Sequence, residues 1–320
     1  MMATFHTKHE GGTRRRLCLS VLLIRCLLLL AIAQPVVVSA QDPKLRQLNV
    51  GYSSVMISNV DLKDAQIALK VWSDMLERDK KGKWEQQATI YPTTRELIEA
   101  YRAGKADIIA FTVLEYLLFK DQVEMTPELV GEISGSPCQQ NLLLVNSKSG
   151  ITSLEQLKGK TLIIENQGTG NIPILWLDII LKKSGLERMR KHFAIVKEVQ
   201  APSKAATPVF FQQAHACIVR ESGFKTLIDL NPQYQRELTV LASSSAFLRG
   251  ITCYRRDFDP ADKQDLMSSA VKLHETVRGQ QILTLFKVDR ILPFKPEMLD
   301  TAVQLIQEYQ KLFPTVAIEP

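Results

Sequence analysis

Apolar and polar positions along this chain fall into short alternating blocks, and the blocks predict an α/β architecture. Gln47–Tyr52, Trp84–Tyr91 and Ala106–Phe111 read as strands, the second stopped by Pro92. Between the first two, Asp61–Glu77 carries Ile67, Leu69, Val71, Trp72, Met75 and Leu76 as an amphipathic helix. Thr94–Ala103 is a second helix, closed by Gly104, and Val113–Lys120 is a third, capped by Thr112. Strand–helix alternation of this kind predicts a parallel sheet with helices on both faces. Such sheets bind ligands beyond the carboxyl ends of their strands. The loops at Ser53-Ser54, Pro92–Thr94 and Phe111-Thr112 therefore fall on one edge.

The pattern then breaks and resumes. Glu132–Ser147 contains the breaker cluster Gly135-Ser136-Pro137-Cys138 and the apolar strand Asn141–Val145, and reads as a crossover. A short helix, Ser153–Leu157, stops at Gly159, and a buried strand, Thr161–Ile164, follows. The turn Glu165–Asn171 carries two glycines and a threonine, and a helix runs from Ile172, with Pro173 in its first turn, to Gly185. Phe193–Val199 and His215–Val219 are strands around a helix at Pro208–Gln213, with Thr207 as its N-cap. Leu238–Leu241 and Gly250–Tyr254 frame a return crossover. Asp265–Arg278 and Met298–Phe313 are expected to be helices that return to the first unit, on either side of a loop at Phe286–Lys295.

Charge changes the picture only at the N-terminus. The chain has a formal charge of +6, but residues 1–40 contribute +4 of it, leaving 35 basic against 33 acidic residues beyond. No basic run or aromatic–basic interleaving follows, which argues against nucleic acid as a partner. Arg14-Arg15-Arg16, the apolar run Leu17–Ala33 and Val38-Ser39-Ala40 form a secretory signal, with cleavage expected after Ala40. Export implies an oxidising compartment. Beyond the signal remain Cys138, Cys217 and Cys253, an odd number, so at least one thiol stays free. No cysteine–histidine spacing suggests a metal, and no cofactor motif stands out.

Three blocks carry a family resemblance. Residues 149–161, S-G-I-T-S-L-E-Q-L-K-G-K-T, resemble a segment common in extracytoplasmic solute-binding proteins. Residues 104–116, G-K-A-D-I-I-A-F-T-V-L-E-Y, and 210–224, F-F-Q-Q-A-H-A-C-I-V-R-E-S-G-F, are similar to blocks of the phosphate/phosphonate-binding family that serves ABC importers. In the last block His215 stands where the family usually has Asp. The resemblance spans nearly the whole chain after residue 45. It implies a two-lobed type II periplasmic-binding fold: lobe 1 from residues 41–137 and 246–320, lobe 2 from 138–245, with two crossover strands as hinge. It further implies a periplasmic monomer that closes over a small anion and presents it to an ABC permease. A sensing module acting on a membrane signalling partner, and a binder of an organic solute, remain open alternatives. No nucleophile–base pair or paired-carboxylate signature supports an enzyme.

Candidate ligand groups follow from the loops. The turn before Ile172 offers Gly168, Thr169, Gly170 and Asn171, with backbone N–H groups at a helix N-terminus suited to an anion. Ser53, Ser54 and Thr112 are matching hydroxyl donors from lobe 1. The resemblance places Thr94 and Phe111 near family ligand positions. Phe111 keeps the ring that phosphonate binders present there and lacks their hydroxyl. Arg220 ends a strand on the cleft edge, where a guanidinium can pair with phosphate, sulfonate or carboxylate, or else with Glu221. Ser203 and Lys204 occupy a loop where aminophosphonate binders carry Glu, so phosphate, phosphite or a simple oxyanion fits better. Cys138 and Cys253 both fall at the crossovers, and a disulfide between them beside the hinge is one expectation.

Overall fold

The computed structural model describes residues 46–57, 84–166 and 170–319, together with Lys63, Ile67 and Lys70. The expected signal and most of the expected helix Asp61–Glu77 lie outside these residues. Thirteen described strands are β1 Arg46–Ser53, β2 Trp84–Tyr91, β3 Ile108–Thr112, β4 Met125–Glu132, β5 Cys138–Gln139, β6 Asn141–Asn146, β7 Thr161–Glu165, β8 Ile195–Val199, β9 Ala216–Arg220, β10 Leu238–Ser243, β11 Phe247–Leu248, β12 Gly250–Arg255 and β13 Arg290–Pro293. The described helices are α1 Thr94–Arg102, α2 Val113–Phe119, α3 Ile172–Lys183, α4 Met189–His192, α5 Pro202–Phe210, α6 Glu221–Leu230, α7 Gln233–Glu237, α8 Pro260–Val271, α9 Val277–Leu285 and α10 Asp300–Leu312.

Two mixed sheets organise these elements, giving a two-lobed type II periplasmic-binding fold. One has the order β13-β4-β12-β3-β1-β2, the other β10-β6-β9-β7-β8. In the first, β1 runs parallel to β2 and β3, while β12 is antiparallel to β3 and β4. In the second, β7 runs parallel to β8 and β9, while β6 is antiparallel to β9 and β10. A two-stranded ribbon, β5 with β11, joins them: Cys138 faces Leu248 and Gln139 faces Phe247. The chain passes between the sheets through this ribbon in both directions.

Periodicity explains most of these elements. All six residues of β6 are buried, as expected of a central strand covered on both faces. Helix α1 buries Leu97, Ile98 and Tyr101 at helical spacing, and Thr93 is its N-cap, accepting from Glu96 N at 3.2 Å. Gly170 has φ +60°, the left-handed conformation that lets the chain turn into α3. Among the described residues no helix is long and apolar enough to cross a membrane.

Several expectations are corrected. Strand β4 escaped prediction because Pro127 interrupts its pattern. Pro127 pairs with Cys253 beside an irregularity in the register, where a missing N–H is tolerated. Helix α5 starts at Pro202, six residues before the expected helix, because Pro202 occupies its first turn and Pro208 lies near its end. The expected helix Asp265–Arg278 is instead α8, a short 3₁₀ turn at Leu273–Glu275, and α9. The expected loop at Phe286–Lys295 contains β13, an edge strand on β4. Finally, α10 packs on α3 of the second lobe. Arg188 donates to Asp178 Oδ2 at 2.8 Å and to the Tyr309 hydroxyl at 2.7 Å, and Lys183 pairs with Glu308 at 2.6 Å.

The expected Cys138–Cys253 bridge is not formed, and all three cysteines are free. Cys138 pairs with Leu248 in the ribbon, whereas Cys253 lies five residues further along, inside the first sheet opposite Ile109. At about 3.3 Å per residue, that run of largely extended chain overshoots the Cα separation of about 4.4–6.8 Å that a disulfide spans.

Candidate functional site

The carboxyl ends of the parallel strands define the site. β1 ends at Ser53, β2 at Tyr91 and β3 at Thr112; β7 ends at Glu165, β8 at Val199 and β9 at Arg220. A cavity of about 390 Å³ lies between the two sets, bounded by Ser54 and Val55 from the first sheet and by Asn166, Glu198, Val199 and Gln200 from the second. This is the outer end of the cleft, since β8 is an edge strand and the ribbon lies on the far side of β9 and β3. Ser54 lines this cavity, and its hydroxyl donates to Pro92 O at 2.7 Å. Glu198 was not foreseen. Asn166 Nδ2 donates to its Oε2 at 2.6 Å, and it brings a carboxylate to the cleft from the end of β8, outside the Ser203-Lys204 position where the family comparison looked for one.

Three of the expected first-lobe residues, Ser53, Thr94 and Thr112, converge on Glu115. Ser53 and Thr94 both donate to Glu115 Oε1, the latter at 2.5 Å. The Thr112 N–H donates to Glu115 Oε2 at 2.7 Å, and Glu115 N donates back to Thr112 Oγ1 at 3.2 Å, a complete capping box. Ser53, Thr112 and Glu115 are fully buried and Thr94 nearly so. The Ser53 and Thr94 hydroxyls and the Thr112 N–H thus satisfy a buried carboxylate, which fixes the carboxyl ends of β1 and β3 and the start of α1 relative to one another. Glu115 was legible in principle, because T-x-x-E ahead of an apolar run is the capping-box spacing.

Arg220 behaves similarly. Its Nη2 lies 2.9 Å from Glu165 Oε1, and its backbone N–H donates to Glu165 Oε2 at 3.0 Å. The partner is thus Glu165 at the end of β7, not Glu221, which pairs with Lys225 at 2.9 Å. A buried carboxylate therefore offsets the charge expected to meet a ligand. A second arginine stands nearby. Arg249 links β11 to β12, and its Nε is the one buried side-chain nitrogen or oxygen without a hydrogen-bond partner among the described residues. Burial, followed by the Arg220 charge, pushes its pKa down to about 10, with Glu165 acting the other way. Sequence reasoning passed over it. The available signal was a lone arginine between Phe247-Leu248 and Gly250-Ile251, with no acidic residue close in sequence.

The other candidates separate. Phe111 is fully buried and stacks on Tyr116 at 6.0 Å, inside the core rather than the cleft. Ser203 and Lys204 are exposed in the first turn of α5, not in a loop. Asn171 precedes α3 without capping it through its side chain; its Nδ2 donates to Glu319 O at 3.1 Å. Gly170 adjoins the cleft turn, while Gly168 and Thr169 lie outside the described residues. Among the described residues no cluster of His, Cys, Asp or Glu could hold a metal ion.

Comparison with known proteins identifies a family and a shared fold. Residues 56–299 match a family model described as the periplasmic substrate-binding protein of phosphonate ABC transporters. A Xanthomonas citri protein solved bound to ATP is similar in fold, with TM-score 0.63 and 19% identity over 85% of this chain and 99% of that one. The binding component of a Pseudomonas aeruginosa ABC phosphonate transporter aligns with TM-score 0.59 and 17% identity over 84% of this chain and 88% of that one. PhnD1 of Prochlorococcus marinus, in complex with methylphosphonate, aligns with TM-score 0.58 and 15% identity over 84% of this chain and 99% of that one.

Proposed function

This chain belongs to the family of periplasmic substrate-binding proteins of phosphonate ABC transporters, and from that membership we propose that it captures a phosphonate, phosphite or phosphate-class oxyanion between its lobes. The observation that carries the reading is the cleft itself, with Ser54 on one sheet edge facing Asn166 and Glu198 on the other. Groups from both sheets can contact one small solute only when the lobes approach, so ligand binding favours closure about the β5–β11 ribbon. The family is extracytoplasmic and works with an ABC permease. For this chain the reading is a periplasmic monomer, exported by residues 1–40, that binds without turnover and has no nucleic-acid partner.

The Arg249, Arg220 and Glu165 side chains sum to one positive charge at the inner end of the cleft, which suits a monoanion. Glu198 at the outer end can accept a hydrogen bond from a ligand hydroxyl or ammonium. Thermal-shift measurements with phosphate, phosphite, methylphosphonate, aminoethylphosphonate and sulfate test the reading. A ligand at 100 times its dissociation constant adds about 2.7 kcal/mol, enough to move the melting point by several degrees. Failure of every oxyanion to shift it removes the proposal.

A further inference from the structure

The chain joins the two lobes a third time, beyond the ribbon. The Phe294 N–H donates to Glu128 O at 2.8 Å, which ties the end of β13 to β4 in the first lobe. The 3₁₀ turn Pro296–Leu299 follows. From Thr301 onward the polar ties change side. Thr301 Oγ1 donates to Ala246 O at 2.7 Å, next to β11 of the ribbon. Glu308 pairs with Lys183 at 2.6 Å, and the Tyr309 hydroxyl lies 2.7 Å from Arg188 Nη2 and 3.3 Å from Asp178 Oδ2. Beyond α10, Glu319 O accepts from Asn171 Nδ2 at 3.1 Å, at the start of α3.

Towards the first lobe the contact has a different character. Helix α10 also lies against α2, yet among the described residues no hydrogen bond or ion pair joins the two helices. They share one buried apolar cluster, which includes Leu114 of α2, Phe247 and Leu248 of the ribbon, Leu177 of α3, and Ala302 and Leu305 of α10. Ala302 is fully buried and adjoins Thr301, so a small side chain occupies the joint where α10 meets the ribbon. Hydrogen bonds and ion pairs fix geometry, because they weaken steeply with distance and angle. Packed apolar surfaces tolerate small sliding of one helix over another. Helix α10 is thus fastened to one lobe and only packed against the other.

We propose that α10 moves with the second lobe and that its packing against α2 sets how far the cleft stands open. Ala302 and Leu305 then tune ligand affinity from outside the cleft. Any contact area that differs between the open and closed forms adds to, or subtracts from, the free energy of closure. A bulkier and a smaller side chain at this joint bias the two forms in opposite senses. The inference rests on the closure reading above and gives it a control point remote from the ligand.

Spin labels at Lys120→Cys, after α2, and Lys182→Cys, on α3, report the separation of the lobes in a Cys138→Ser background; both lysines are exposed. Ala302→Leu and Leu305→Ala are expected to shift that separation in opposite directions by about 1–2 Å or more in the unliganded protein. The methylphosphonate affinity should move in opposite directions as well, by at least about 5-fold each, in calorimetric titration. Ala302→Val is the smaller insertion to use if Ala302→Leu does not fold. A third label at Gln307→Cys, exposed on α10, should keep its distance to Lys182→Cys when methylphosphonate binds and change its distance to Lys120→Cys. The reverse result overturns the inference. So do shifts in the same direction, or lowered melting points with separation and affinity unchanged, which leave α10 a purely structural helix. Binding of no oxyanion by the wild type removes the reading above, and the ligand-free separations then decide the inference by themselves.

Discussion

Arg220 and Glu165 form a two-point contact at the carboxyl edge of the second sheet. The Arg220 Nη2 lies 2.9 Å from Glu165 Oε1, while the Arg220 backbone N–H donates to Oε2 at 3.0 Å. The side chains are 12% and 0% exposed, so the pair is desolvated and its carboxylate cannot be replaced by water. Arg249 feels both charges. Removing Glu165 therefore leaves two guanidinium groups close together without the carboxylate that offsets them. Glu165→Gln is expected to lower the unfolding free energy by about 3 kcal/mol or more in urea denaturation. A loss below about 1 kcal/mol would mean that the pair does not hold this edge together.

Glu115 makes a comparable prediction in the first sheet. Ser53→Ala and Thr94→Ala each remove one donor and are expected to cost about 1 kcal/mol. Glu115→Ala strands both hydroxyls and the Thr112 N–H in a buried site, and is expected to cost about 3 kcal/mol or more. The double variant Ser53→Ala/Thr94→Ala should be non-additive, because the two hydroxyls share one oxygen. Strict additivity in the denaturation series would contradict a shared acceptor.

The last helix is tied to the second lobe through Tyr309. Its hydroxyl accepts from Arg188 at 2.7 Å and donates to the buried Asp178 at 3.3 Å. Tyr309→Phe should reduce stability by about 1 kcal/mol while leaving oxyanion affinity unchanged. Asp178 also receives the Met189 N–H at 2.7 Å, so Asp178→Ala should cost more than the tyrosine change. Denaturation midpoints of the two variants check the order.

Alkaline pH should destabilise the fold in a predictable window. Burial raises the Cys217 and Cys253 thiols above their ordinary value of 9.0, and raises the Tyr52 and Tyr254 hydroxyls above 10.0. Below pH 9 the folded and unfolded chains both hold these protons, and the contribution to stability is fully present. As pH rises further, the unfolded chain releases protons that the folded chain retains, and stability falls. Denaturation midpoints should be flat from about pH 7 to 8.5 and decline above pH 9. Cys217→Ala should shallow the first part of that decline; an unaltered slope would remove the thiol from the account.

Thiol titration separates the free-cysteine structure from the bridged alternative. In denaturant without reductant, Cys138, Cys217 and Cys253 should all react. In the native protein the half-buried Cys138 should react ahead of the two buried thiols. A single reactive thiol among these three after unfolding would restore the Cys138–Cys253 bridge.

Local rules read from the sequence determined much of this protein. Residue pattern located β1, β2, β3, β7 and α3 to within a residue or two, because each is an apolar or alternating run bounded by Gly, Pro or a hydroxyl residue. The same reading placed Ser53, Thr112 and Arg220 at the carboxyl ends of their strands. Only the tertiary structure decided what those side chains meet. Ser53 and Thr94 are 62 and 21 residues from Glu115 in sequence, and Arg220 is 55 from Glu165, so no local pattern could pair them. Desolvation then favours a carboxylate partner over an open ligand position for each group. For Arg249 the sequence shows one arginine among apolar neighbours. Only the meeting of the ribbon with both sheets leaves its Nε buried and unpartnered beside an apolar cavity, because burial and partner count are properties of the packed chain.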